Sequence, residues 1–112
     1  MTATAKPLVE ILYFDGCPNH EPARVMVERV TSDLGLASEL RLVHVADDEA
    51  AHRLRFLGSP TILVNGHDIE PGAAERRDYG LACRVYRTAN GTSGQPDPAW
   101  LRDALARAAR DS

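Results

Sequence analysis

The stretch LVEILYFDGCPNH, residues 8–20, decides the fold and also carries the first candidate site. Its apolar first half is short and rich in residues that favour strands, so it predicts a β-strand rather than a helix. Because nearly every residue of that half is apolar, we expect a central strand that is covered on both faces. Asp15 and Gly16 end the strand at a turn, and Cys17 follows directly.

Outward from this stretch, helices and strands alternate along the chain. The patterning predicts a helix from Glu21 to Gly35, a strand over 40–45, a short helix from Asp47 or Asp48 through Leu57 with Gly58 as its cap, strands over 61–64 and 67–70 joined by the Asn65-Gly66 turn, and a last helix after Asp97-Pro98. The helix residues expected in the core are Ala23, Val27, Val30, Leu34, Ala51, Leu54, Leu57, Trp100, Leu101, Ala104, Leu105 and Ala108. Strand–helix–strand alternation implies parallel crossovers, and the turn adds an antiparallel edge. The fold class is therefore α/β, with a mixed central sheet of four to five strands flanked by helices.

An inserted segment, residues 72–96, separates the last strand from the last helix. A stretch of that length within a compact domain is expected to have structure of its own. Within this segment, residues 81–86 alternate as they would in an extended strand. The apolar residues Leu81, Cys83 and Val85 would point to one side, and Ala82, Arg84 and Tyr86 to the other. This pattern favours Cys83 as a core residue. The alternative is that the segment folds over Cys17 and brings the two sulfurs together.

The composition excludes several classes of protein. The chain has 112 residues, 44% of them apolar, which suffices for one domain over residues 7–112 with a disordered polar tail over 1–6. Lys and Arg number 13 against 16 Asp and Glu, a net charge of −3, and this argues against a nucleic-acid binder. No apolar run is long enough to span a bilayer, and the first residues lack the apolar core of a secretory signal. We therefore expect no membrane contact and a cytoplasmic location.

The chemistry of the chain centres on its two cysteines, Cys17 and Cys83, which are too few for a disulfide-stapled scaffold. Cys17 stands at the start of a predicted helix, where the helix dipole and free N–H groups stabilise a thiolate. His20 follows one turn later and in its charged form would stabilise the same thiolate. This arrangement predicts a nucleophilic Cys17 activated by His20. The plain alternative is a small buried Cys17 with His20 facing solvent.

With these residues in place, the chain resembles the thioredoxin superfamily. The sequence CPNH at 17–20 stands where that family has Cys-x-x-Cys, and GSPT at 58–61 is similar to its cis-proline loop. The Asn-Gly turn at 65–66 lies where the family turns from its third strand to its fourth. The resemblance covers most of 8–70 together with 97–110.

The resemblance implies a thiol-dependent redox protein that needs no cofactor. It implies that Pro60 is cis and that Ser59, Pro60 and Thr61 line a groove for a protein disulfide or for a small thiol such as glutathione. His20 replaces the second cysteine of the motif and cannot attack a mixed disulfide. Three outcomes stay open: Cys17 works alone and glutathione resolves it, Cys83 is a distant resolving thiol, or the scaffold is a binding module without catalysis.

A soft-metal site is the other chemistry these residues suggest. Two thiolates with His20 beside them suit an ion such as Hg²⁺ or Zn²⁺. The segments GCPNH at 16–20 and YGLACRVYR at 79–87 also give a weaker resemblance to alkylmercury lyase-like proteins. That resemblance implies that Cys17 and Cys83 hold mercury and that Asp15 protonates the leaving carbon. Arg76, Arg77 and Arg84 form a basic group that either attracts an anionic substrate or is a solvated surface.

Overall fold

Four strands form one mixed sheet in the computed structural model, which describes residues 6–111. They are β1 (Leu8–Tyr13), β2 (Glu39–His44), β3 (Thr61–Val64) and β4 (His67–Asp68), in the spatial order β2-β1-β3-β4. β1 is parallel to β2 and antiparallel to β3, which pairs antiparallel with β4. Only the first of the expected parallel crossovers is therefore found. The predicted tail, residues 1–6, lies outside the described residues except for Lys6.

Three helices accompany the sheet: α1 (His20–Leu34), α2 (Asp48–Arg53) and α3 (Pro98–Asp111). α1 ends at Gly35, whose left-handed conformation closes the helix as predicted. Asp47 caps the start of α2: its carboxylate accepts the Ala50 N–H, also as predicted. α2 stops earlier than expected because Arg55 adopts a φ of 55°, which no α-helix continues. Gly58 is consequently not a helix cap and has a different role.

The core lies on both faces of β1, which confirms the central strand. One face packs against α1 and α3, and its buried residues are Val9, Ile11, Ala23, Val27, Val30, Ile62, Val64, Ile69, Leu101 and Leu105. The other face packs against α2 and the loop after it through Leu12, Val45, Ala50, Ala51 and Phe56. Leu34, expected in the core, is 39% exposed at the end of α1. No helix within residues 6–111 has the length and apolar character needed to cross a membrane.

The inserted segment has structure of its own, as predicted. It contains a single 3₁₀ turn (Ala73–Glu75) and a hairpin of β5 (Tyr86–Thr88) and β6 (Gly91–Ser93). Its two faces are the reverse of the prediction: Arg84 and Tyr86 are buried, whereas Leu81, Cys83 and Val85 are exposed. The physical reason is a set of buried polar partners for Arg84 and Tyr86, which local apolar alternation does not reveal.

Candidate redox site

Cys17 lies in the turn between β1 and α1 and is only 3% exposed. Its thiol donates a hydrogen bond to the Ser59 carbonyl over 3.4 Å. α1 begins three residues later at His20, with Asn19 as its N-cap and no side-chain cap bond. The sulfur is therefore buried against the loop before β3, and the nucleophilic role of Cys17 stays a prediction.

His20 does not have the contacts expected of a group that activates Cys17. Its Nδ1 donates to the backbone carbonyl of Cys17 over 3.2 Å, since a carbonyl can only accept. Its ring stacks on Tyr13, with centroids 4.4 Å apart and planes inclined by 19°. These contacts fix the turn that carries Cys17, so His20 positions the loop.

The predicted substrate residues Ser59, Pro60 and Thr61 form a loop that the inserted segment covers. The Ser59–Pro60 bond is cis, as the resemblance implied, and all three residues are buried. The Ser59 N–H donates to the Ala82 carbonyl over 2.8 Å, and the Arg84 N–H donates to the Ser59 carbonyl over 2.9 Å. The chain thus uses both backbone groups of Ser59 itself, and the expected open groove at this loop is filled.

Gly58 permits this close pairing. Its φ of +128° is a conformation that residues with a Cβ rarely adopt, and a Cβ built there would lie 2.9 Å from Arg84 Cβ and 3.0 Å from the Ala82 carbonyl oxygen. Any larger residue at position 58 would have to displace the inserted segment.

Arg84 anchors the segment from the other side. Its guanidinium donates to both carboxylate oxygens of Asp68 over 2.8 and 3.1 Å, to Glu70 over 2.7 Å and to the Thr61 hydroxyl over 2.9 Å. Burial alone lowers the pKa of Arg84, but the hydrogen bonds and charges of these carboxylates raise it overall. Arg84 is thus neither a solvated surface group nor free to attract an anionic substrate.

Tyr86 completes the anchor next to Arg84. Its hydroxyl donates to the Pro60 carbonyl, and the Arg84 guanidinium lies 4.5 Å from the centre of its ring. The side chain is fully buried, and that burial raises the pKa of its phenol. The backbone on either side of Cys83 is therefore fixed by three features: the pairing with Ser59, the close approach to Gly58, and the buried side chains of Arg84 and Tyr86.

This anchoring brings Cys83 to Cys17. Cys83 is exposed, so its assignment to the core is wrong. It forms a β-bridge with Ser59, the residue whose carbonyl accepts the hydrogen bond of the Cys17 thiol. Hydrogen bonding with the Cys17 side chain, followed by loss of hydration and the charge on Cys17, raises the pKa of the Cys83 thiol. Both cysteines are free thiols. One buried cysteine and one exposed cysteine therefore both adjoin Ser59.

Asp15 does not join the two cysteines. It is 91% exposed and pairs with His44, with 3.1 Å between its Oδ2 and the His44 Nε2. Within residues 6–111, no three His, Cys, Asp or Glu side chains are grouped so that they could hold a metal ion. A tetrahedral zinc site therefore does not fit these residues, and the proton-donor role that the resemblance implies for Asp15 stays a prediction.

The inserted segment also covers the start of α1. The Gln95 side-chain amide donates to the Asn19 carbonyl over 2.7 Å, and a Cβ at Gly94 would lie 2.5 Å from the Asn19 side chain. A groove of about 740 Å³ lies elsewhere, between the β4 region and α3, and neither cysteine lines it. The chemistry of the two sulfurs is therefore confined to the small surface around Cys83.

No protein-family model matches this chain, and no curated protein matches its sequence. Sequence reasoning found both cysteines and the loop between them. It missed the roles of Gly58, Arg84, Tyr86 and Asp68. One signal was available in the sequence: an arginine inside an apolar alternation requires buried acidic partners, and Asp68 and Glu70 stand in the preceding hairpin.

Proposed function

We propose that the chain is a thioredoxin-like thiol–disulfide redox protein in which Cys17 and Cys83 are the reacting pair. The observation that carries the proposal is that both free cysteines meet at Ser59: the Cys17 thiol donates to the Ser59 carbonyl, and Cys83 forms a β-bridge with the same residue. Cys83 takes the part of the second motif cysteine, whose place His20 occupies. The finer fold assignment is supported by the β1–α1–β2 unit, the β3–β4 hairpin and the closing helix α3, which follow the order that the resemblance implies.

The reaction moves two electrons between the pair and an external disulfide. A protein thiolate attacks one sulfur of the external disulfide, giving a mixed disulfide and one released thiol. The second protein thiol loses its proton and attacks the mixed disulfide, which forms the Cys17–Cys83 bond and releases the other external thiol. The balance is one dithiol plus one external disulfide giving one internal disulfide plus two external thiols. The reverse reaction oxidises a pair of partner thiols.

A redox titration tests this proposal. The protein is equilibrated with graded ratios of reduced to oxidised glutathione, quenched with acid and digested. We expect a peptide pair linked through Cys17 and Cys83, with both free thiols lost together. The Cys17→Ser variant should instead take up one glutathione at the exposed Cys83, whereas the Cys83→Ser variant should keep its buried Cys17 thiol free. A folded wild-type protein that takes up two glutathiones, or that keeps both thiols free, would refute the proposed pair.

Mercury binding is the second candidate, favoured by the placement of both cysteines at Ser59. Soft thiolates bind soft metals, and Hg²⁺ is commonly held by two thiolates without a third ligand. Binding should show one Hg²⁺ per chain and should be lost in either cysteine variant. If Hg²⁺ binds in this way and glutathione buffers never form the linked pair, the metal function replaces the redox function.

The proposal carries an expectation about partner and location. The dithiol form from which the proposed reaction starts is maintained in the cytoplasm, where thiols are kept reduced. The partner is then a protein disulfide or a small thiol such as glutathione.

A further inference from the structure

The extended stretch at Cys83 has one paired backbone edge and one free edge. Consecutive residues of an extended chain direct their N–H and C=O groups to opposite sides. The Ala82 carbonyl and the Arg84 N–H face Ser59, so the backbone groups of Cys83 face away from it. Among residues 6–111, the backbone groups of Cys83 and Val85 have no hydrogen-bond partner. A free edge of this kind is able to pair with another extended chain.

Apolar side chains surround the exposed sulfur on this stretch. Leu81 is 36% exposed and Val85 is 64% exposed, the latter the most exposed large apolar side chain in the described part of the chain. A contiguous exposed apolar patch on a folded protein marks a candidate interaction site. Free backbone donors and acceptors, apolar neighbours and a thiol therefore coincide at Cys83.

We propose that an extended polypeptide segment containing a cysteine adds as a strand to the free edge at Cys83 and Val85, and that its sulfur exchanges with Cys83. This inference rests on the proposed function and names its substrate class. It also names the entry sulfur, since Cys17 is 3% exposed and lies beneath the segment. The backbone of Ser59 is not available for the same purpose, because the chain itself pairs with it.

In the oxidised protein, the exchange begins at the Cys83 sulfur of the Cys17–Cys83 disulfide. The partner thiolate attacks the Cys83 sulfur, the Cys17–Cys83 bond breaks, and the electron pair leaves on the Cys17 sulfur, which takes up a proton. A second thiol of the partner then attacks the partner sulfur of the mixed disulfide, and the Cys83 thiol is released. The partner loses two electrons and the protein gains them.

Small peptides can separate strand addition from simple thiol exchange. The oxidised protein is mixed with acetyl-TVCVT-amide, with the same peptide N-methylated at its three central amides, and with glutathione, at equal thiolate concentrations. The unmodified peptide can form two or more backbone hydrogen bonds with the free edge. We therefore expect it to reduce the protein about tenfold faster than the N-methylated peptide or glutathione does. Equal rates for the plain and the methylated peptide would overturn the proposal.

Surface variants locate the strand on the protein. Val85→Asp should lower the ratio of the peptide rate to the glutathione rate. The matched control Val25→Asp, on α1 and 42% exposed, should leave that ratio unchanged. A ratio that both variants lower equally, or that neither lowers, contradicts docking at this edge.

A binding measurement keeps the docking claim separate from the redox claim. In the Cys83→Ser variant, acetyl-TVSVT-amide at millimolar concentration should shift the backbone amide NMR signals around residues 83–85. If the peptide causes no such shifts, strand addition is refuted, whatever the result of the redox experiment. If these shifts appear but the wild-type protein never forms the linked cysteine pair, the docking surface stands and the proposed redox function fails.

Discussion

Replacing Arg84 with methionine tests what holds the inserted segment over the redox site. The Arg84 side chain is 1% exposed, and its partners Asp68 and Glu70 are 13% and 16% exposed. Methionine keeps most of the stem volume and removes the charge together with the four hydrogen bonds. Asp68 then remains nearly buried without a cationic partner, and Glu70 keeps only Arg76, whose Nη1 lies 3.4 Å from its Oε1.

The expected loss follows from the cost of an unpaired buried charge. Breaking a buried ion pair by removing one partner costs about 3–5 kcal/mol. The carboxylates of Asp68 and Glu70 keep some contact with water, so we expect the lower end, about 3 kcal/mol of unfolding free energy. With a urea slope of about 1.5 kcal/mol/M, the unfolding midpoint falls by about 2 M. A loss of that size is a large part of the stability of a small domain.

Urea unfolding followed by circular dichroism measures the effect. The control Arg87→Met removes an exposed arginine from the same inserted segment and should change the unfolding free energy by less than about 0.5 kcal/mol. Adding Asp68→Asn and Glu70→Gln to Arg84→Met should recover much of the loss. If Arg84→Met costs no more than Arg87→Met, the carboxylates do not depend on Arg84 and the reasoning fails.

Two further predictions concern the cysteine pair and the glycine beneath it. Cys17→Ala removes the hydrogen bond and the charge that raise the pKa of the Cys83 thiol. The pH midpoint for alkylation of Cys83, measured by mass spectrometry, should therefore move to lower pH. An unchanged or higher midpoint would contradict the interaction between the two cysteine side chains. Gly58→Ala should cost about 1–3 kcal/mol in urea unfolding and expose Cys17 to alkylation, whereas Gly80→Ala, which has open space for a Cβ and no positive φ, should do neither. Equal effects of the two substitutions would show that Gly58 is not a contact point.

The sequence predicted most of the secondary structure because the deciding signals are local. The dense apolar run of β1, the Asn65-Gly66 turn and the Asp47 cap each depend on residues within a few positions, and all were found. The errors lie where a distant partner decides the outcome. Leu34 fits the apolar stripe of α1 but lies beyond the surface that the sheet and α3 cover.

The amino-acid sequence alone determined that a strand, a thiol and a helix follow one another at residues 8–34, since strand length, turn residues and helical spacing are properties of neighbouring side chains. Only the tertiary structure decided which face of the inserted segment is buried and which sulfur is exposed. The reason is that Arg84 finds Asp68 and Glu70 across the fold, and those partners outweigh the burial of Leu81 and Val85. The meeting of Cys17 with Cys83 is a consequence of that choice.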